Sequence, residues 1–180
     1  MNKILRIFAI KLSLFMTKVD FLFRWVFRRT CTSAQIDEFI SQNNLSAKSP
    51  PEEVSRLLRS KFVWRADKTF RDYAKDPRVF LHDATDDCDG FAMFTEEIML
   101  KLGFSEVFRV YVKASSDRGH VVCVVKYPNG TYHQLGNWQT FQFSDGTLFT
   151  IAKAVAAGMA GNPSYAMKFE RGSLIEYYAE

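Results

Sequence analysis

Apolar residues recur at spacings of three and four along the first part of the chain and alternate with period two along much of the second. The first pattern predicts helices and the second predicts strands. Residues 3–29 form the longest helical stretch. At about 100° per residue, every charge from Lys3 to Arg29 falls in one half of the wheel. The other half holds Leu5, Phe8, Leu12, Phe15, Met16, Val19, Phe23 and Val26. Thr32 or Ser33 then caps a short helix reaching Gln42, and Ser49-Pro50-Pro51-Glu52-Glu53 starts another that runs to about Lys61. Residues 62–87 lack periodicity, and Asp76-Pro77 marks a turn, so the segment is expected to be an ordered loop. From Cys88, apolar Phe91, Ala92, Ile98, Met99 and Leu102 return to helical spacing, and Gly103 is a stop. Asp86 or Asp87 is the expected N-cap of that helix.

Beyond Gly103 the alternation of Val107–Val112 and His120–Tyr127 predicts two strands. Asn129-Gly130 predicts a two-residue type I′ hairpin turn leading into a strand from Thr131 to Trp138. In that register Val122 faces Asn137 and His120 faces Gln139, which sets His120, Val122 and Asn137 on one face with Asn137 diagonal to His120. Thr147 to Met159 reads as a helix, and strands Tyr165–Glu170 and Leu174–Tyr178 close the chain around Arg171-Gly172. Helices first and an antiparallel sheet afterwards predict an α+β domain over residues 31–180, preceded by the amphipathic helix of residues 1–30.

Charge refines this division. The chain carries +4, yet residues 1–30 alone hold seven Lys and Arg against Asp20, leaving −2 for the remainder. The basic character therefore belongs to the helix, and the domain has no nucleic-acid signature. The helix is too interrupted by charge to span a bilayer, since its charge-free run between Lys11 and Lys18 is far short of about 20 residues. Two roles stay open for residues 3–29: packing on the domain or a partner protein, or peripheral attachment to an anionic membrane. Three unevenly spaced cysteines, Cys31, Cys88 and Cys123, argue for a reducing, cytoplasmic setting, at the inner face of the membrane if the helix attaches there.

Chemistry concentrates at Asp86-Asp87-Cys88-Asp89-Gly90-Phe91-Ala92. A cysteine in the first turn of a helix meets free backbone N–H groups and the positive end of the helix dipole, which favour a thiolate. The neighbouring carboxylates oppose it, so a cationic partner is required. His120 supplies a base and, once protonated, that cation, while the Asn137 side-chain oxygen is placed to accept the other imidazole N–H. Cys31 and Cys123 look structural, as does His133. His82, next to Asp83, is the fallback base. The Cys88 backbone N–H is one oxyanion donor, and Trp64 and Tyr73 are candidates for the second. No paired Cys/His spacing suggests zinc.

The order and spacing of Asp87-Cys88-Asp89-Gly90-Phe91-Ala92, Gly119-His120-Val121-Val122 and Leu135-Gly136-Asn137-Trp138 resemble the transglutaminase-like cysteine proteinases, the papain-like group with bacterial and phage members. Asp76-Pro77 through Phe80-Leu81 resembles the lead-in, so the similarity covers about residues 62–140. It implies a papain/transglutaminase-like fold, with the nucleophile helix packed on an antiparallel sheet. It also implies a thiol hydrolase or acyl transferase acting on a protein or peptide amide through a thioester. No cofactor is required by this chemistry, although some relatives bind calcium beside the nucleophile, for which Asp86, Asp87 and Asp89 are the candidate ligands. Many members carry aspartate where this chain has Asn137. The alternative is a weakly active or inactive papain-like module, delivered to a membrane or partner by its N-terminal helix.

Overall fold

A computed structural model describes residues 3–26, 30–66, 75–116 and 118–179. Helix α1 (Lys3–Val26) precedes α2 (Ser33–Gln42) and α3 (Pro51–Lys61). Two-residue strands β1 (Val63–Trp64) and β2 (Thr85–Asp86) flank α4 (Pro77–Asp83), and β2 leads directly into α5 (Cys88–Lys101). Then come β3 (Val107–Ala114), β4 (Gly119–Lys126), β5 (Tyr132–Leu135), β6 (Phe141–Phe143), α6 (Leu148–Gly158), β7 (Pro163–Glu170) and β8 (Ser173–Ala179). The main sheet is antiparallel in the order β6-β5-β4-β3-β7-β8. Mixed helices and an antiparallel sheet agree with the α+β expectation.

Strand alternation divides the core in two. Val107, Cys123, Val125 and Leu135 face α2, α3, α4 and α5, where Phe62, Phe80, Phe91 and Phe94 form a cluster of edge-on and stacked rings. Phe108, Val110, Val112, Val122 and Val124 face the opposite way, against Leu148, Ile151, Ala152 and Val155 of α6. The sheet is thus covered on both faces, and α5 is almost wholly buried along one of them. An ion pair is buried at the α5–sheet contact: Arg109 Nε lies 2.7 Å from Glu96 Oε2, and the Arg171 backbone N–H donates to Glu96 Oε1.

Several local expectations change. Segment 62–87, expected to be a loop, contains α4, with Pro77 at its first position and the Asp76 side chain accepting from the Arg78 N–H. Seven residues are too few to show a period, so the cap is the only signal the sequence carries. The N-cap of α3 is Pro50 without a side-chain cap, while Ser49 accepts instead from the Ser46 N–H.

The larger correction concerns the hairpin. Lys126 pairs with Tyr132 and Cys123 with Leu135, one residue out of the expected register. The Gly130 N–H bonds back to the Tyr127 carbonyl at 2.9 Å, Gly130 has φ +85°, and Asn129 does not enter the left-handed region. The loop is therefore the three residues Pro128-Asn129-Gly130, a type I turn followed by a left-handed glycine. Pro128 sets φ near −65° at the position where a type I turn wants it and where type I′ needs a positive value. β5 stops at Leu135, so Asn137 never enters the ladder.

Candidate active site

Cys88 is the first residue of α5. Asp87 caps the helix by accepting from the Asp89 N–H, and the Cys88 N–H, in the first turn, has no helical partner of its own. Gly90 is required one turn in, since a Cβ there would lie 1.8 Å from Asp86 Oδ2 and 2.7 Å from Asp86 Cβ. The glycine lets the buried Asp86 side chain tuck under the first turn of the helix.

The Cys88 thiol is half-buried, and its pKa is pushed up to about 12. Burial is the main cause and the Asp87 charge comes next, while a hydrogen bond from the Val121 backbone pulls the other way and Asp89 raises it further. The sulfur therefore meets β4 at the residue following His120. His120 itself is buried, and burial lowers its pKa to about 4. At neutral pH the site holds a thiol and an uncharged imidazole. In each case burial is the main obstacle to the ionised form.

Alternation along β4 turns His120 to the side of Val122 and Val112, the α6 side. There its ring stacks on Trp138 at 3.6 Å between centroids, 17° from parallel. Continuing the observed register beyond Leu135 sets Trp138, rather than Gln139, opposite His120. Trp138 is in turn fixed from two sides: Arg59 of α3 donates to its carbonyl, and its indole lies over Gly158, where a Cβ would be 3.2 Å away. The Gly136 N–H donates to Ser55 of α3, which anchors the same segment.

Among the described residues, no hydrogen bond joins Asn137 to His120, and His120 Nε2 is buried without a hydrogen-bond partner. The structure thus brings Cys88 to the Val121 amide and His120 to Trp138, and leaves Asn137 half-buried beside them. Sequence reasoning misses Trp138 as the ring-holding residue, which the correct turn length would have revealed. Of the oxyanion candidates, Trp64 lies on β1, paired to Asp86 and 55% exposed, and Tyr73 lies outside the described residues. His82 is exposed and paired with Asp83 at 3.0 Å. All three cysteines are free, and Cys123 is fully enclosed.

The acidic group beside Cys88 has a basic member that sequence reasoning also misses. Lys75 Nζ lies 2.6 Å from the Thr85 carbonyl, 3.3 Å from Asp83 and 3.8 Å from Asp86, and its backbone N–H reaches Asp86 Oδ2. No periodicity marks a lone lysine in a loop, so nothing in the sequence singles it out. Asp86, Asp87 and Asp89 can bring one oxygen each within 4.8 Å of one another, a spacing and hard-oxygen donor set that fits calcium. Lys75 would share Asp86 with such an ion.

Residues 28–151 match a family described as a transglutaminase-like domain. The chain belongs to that family. Among solved structures it is similar in fold to Legionella pneumophila LapG, with TM-score 0.54, 18% identity, and coverage of 78% of this chain and 75% of that one. LapG in its calcium-bound form gives 0.51 and 18%, covering 79% of each chain. The EGTA-treated form gives 0.51 and 15%, with 79% and 78% covered. No curated protein matches the chain in sequence. The family match begins just past α1.

Burial of two ionisable groups at this site gives the chain a pH signature. An unfolded His120 takes up its proton near 6.5 and the folded one only near 4, so between those values the unfolded chain binds more protons. Stability should fall as pH drops from 6.5 towards 4, by about 3 kcal/mol for this residue. His133, also lowered by burial, adds in the same direction. At the alkaline end Cys88 reverses the sense, because the unfolded thiol ionises near 9.0 and the folded one near 12, so stability is lost as pH rises through that window. Urea midpoints across acidic pH should show the fall, and it should shrink in His120→Gln; an equal fall in that variant would assign the effect elsewhere.

Proposed function

We propose that this transglutaminase-like domain is a thiol hydrolase or acyl transferase that attacks a peptide or side-chain amide through Cys88, with His120 as base and Asn137 as its third member. The observation that carries the reading is the buried, uncharged and unpartnered Nε2 of His120, one residue from the backbone amide that meets the Cys88 sulfur. A buried ring nitrogen left unsatisfied costs about 1–3 kcal/mol, a cost that a proton-transfer role explains.

In this mechanism the thiol proton passes to Nε2 as sulfur bonds to the substrate carbonyl carbon, and the carbonyl electron pair moves to oxygen. The Cys88 N–H at the start of α5 donates to that oxyanion. The imidazolium then returns the proton to the departing amine as the C–N bond breaks, leaving a thioester. Water or a second amine, deprotonated by the same imidazole, resolves it to acid or to new amide. Trp138 holds the ring in place during both transfers, and the Asn137 side-chain oxygen serves the other ring nitrogen. Legionella pneumophila LapG has a calcium-bound form. Calcium held in this chain by Asp86, Asp87 and Asp89 would supply positive charge against the carboxylates that now oppose the thiolate.

An activated ester such as p-nitrophenyl acetate tests the chemistry without a known substrate. Mass spectrometry should find an acetyl group on the peptide carrying Cys88, formed with release of p-nitrophenol and lost in Cys88→Ala. Acetylation confined to lysines, or unchanged in the variant, would sink the proposal and leave the inactive binding module as the better reading. The crowding of Asp87 and Asp89 against the thiol is the observation that favours that second reading.

A further inference from the structure

Helix α1 is mounted the wrong way round for a helix that packs by its apolar face. Thr17 is buried, Asp20 and Phe21 are half-buried, and the Arg78 guanidinium lies 3.7 Å above the Phe21 ring. These contacts sit on the polar side of the wheel. On the opposite side Phe8, Leu12, Phe15, Met16, Val19, Leu22, Phe23 and Val26 are all exposed, the three phenylalanines by 60–65%. At about 100° per residue those eight positions fall within one arc of about 120°, as broad as the stripe by which a surface helix normally buries itself. An outward apolar face of this width, about 28 Å long from Phe8 to Val26 at 1.5 Å per residue, needs a cover.

Charge decides which cover. Residues 1–30 carry seven basic residues against one acid, and Lys11 and Lys18, both exposed, border the apolar arc along one edge. No helix of the described residues is long and apolar enough to cross a membrane. A second copy is disfavoured although Phe8, Leu12, Phe15, Val19, Leu22 and Val26 follow heptad spacing. In a paired helix Lys11 and Lys18 would flank the seam opposite apolar Met16 and Phe23 with no acid to meet them, and two strongly basic helices would be brought together. A flat surface bearing negative headgroups above a hydrocarbon layer satisfies both the lysines and the aromatic residues. We propose that the outward face of α1 docks on an anionic lipid bilayer, lying in its plane with the transglutaminase-like domain held against the surface by the Thr17–Phe21 side of the helix.

The test uses the full chain and vesicles of phosphatidylcholine with or without phosphatidylglycerol, in low and high salt. The wild type should sediment with the anionic vesicles, and raising the salt should weaken binding by about an order of magnitude or more, since each nearby Lys or Arg contributes about 1 kcal/mol. Phe15→Glu combined with Val19→Glu alters two exposed positions, so it should keep the far-ultraviolet spectrum of the wild type while losing vesicle binding. Lack of sedimentation on anionic vesicles would overturn the proposal. So would equal, salt-insensitive binding to neutral ones. Light scattering without lipid provides the remaining outcome: a dimer abolished by the same double substitution, in a chain that ignores vesicles, would give the face to a second copy instead. The acylation of Cys88 by an ester is independent of all these readouts, so failure here leaves the catalytic reading standing.

Discussion

Replacing Glu96 by alanine should destabilise the chain by about 3–5 kcal/mol, a large fraction of the roughly 5–15 kcal/mol typical of a folded domain. Glu96 and Arg109 are each under a tenth exposed, and their 2.7 Å contact joins α5 to the sheet at β3. Removing the carboxylate leaves a guanidinium, which cannot lose its proton, enclosed without its countercharge. The Arg171 N–H loses its acceptor as well. Urea denaturation checks the magnitude. Glu96→Leu with Arg109→Met should recover much of the loss, because removing both ions also removes their desolvation cost. A loss under about 1 kcal/mol in Glu96→Ala would mean that water reaches the pair.

The second large effect belongs to His120. His120→Ala should slow the modification of Cys88 by electrophiles about 10²- to 10⁴-fold at neutral pH, the usual contribution of a positioned base. On the proposed mechanism the effect comes from proton transfer between the two groups. Burial and the Asp87 charge hold the lone Cys88 thiol near 12, and burial holds the lone imidazole near 4, so neither ionises alone. Transfer of the thiol proton to the imidazole would form both charges together, each relieving the other. Without the imidazole, the thiol keeps its elevated pKa and almost no thiolate exists at neutral pH. Trp138→Ala should show a smaller decrease with an unchanged far-ultraviolet spectrum, since it frees the ring without removing the base.

Much of this architecture is legible in the sequence. The α5 helix, its Asp87 cap and the cysteine at its first position follow from periodicity and capping chemistry, and the strands from Val107 onward follow from alternation. The partition of the sheet between two helical layers also follows, because Val122 and Cys123 must face opposite ways. What fails depends on single residues. Pro128 turns a two-residue turn into a three-residue one, and that one step moves Trp138, rather than Gln139, opposite His120 and removes Asn137 from the ladder. Lys75 becomes a partner of the acidic cluster only through tertiary folding, since the whole of α4 lies between it and Asp86 along the chain. The orientation of α1 is equally hidden. A helical wheel identifies an apolar face but not which side the domain will hold, and here one Arg78–Phe21 contact and a buried Thr17 select the polar side.

The central claim, that Cys88 is an activated nucleophile, is met most directly by competitive alkylation. Iodoacetamide at neutral pH, with peptide mapping of Cys31, Cys88 and Cys123 in the same folded sample, compares three thiols that burial alone would all make sluggish. The account predicts that Cys88 is modified first despite its burial and that this advantage disappears in His120→Ala. Modification of Cys88 no faster than Cys31, or an advantage that survives the loss of His120, would contradict it.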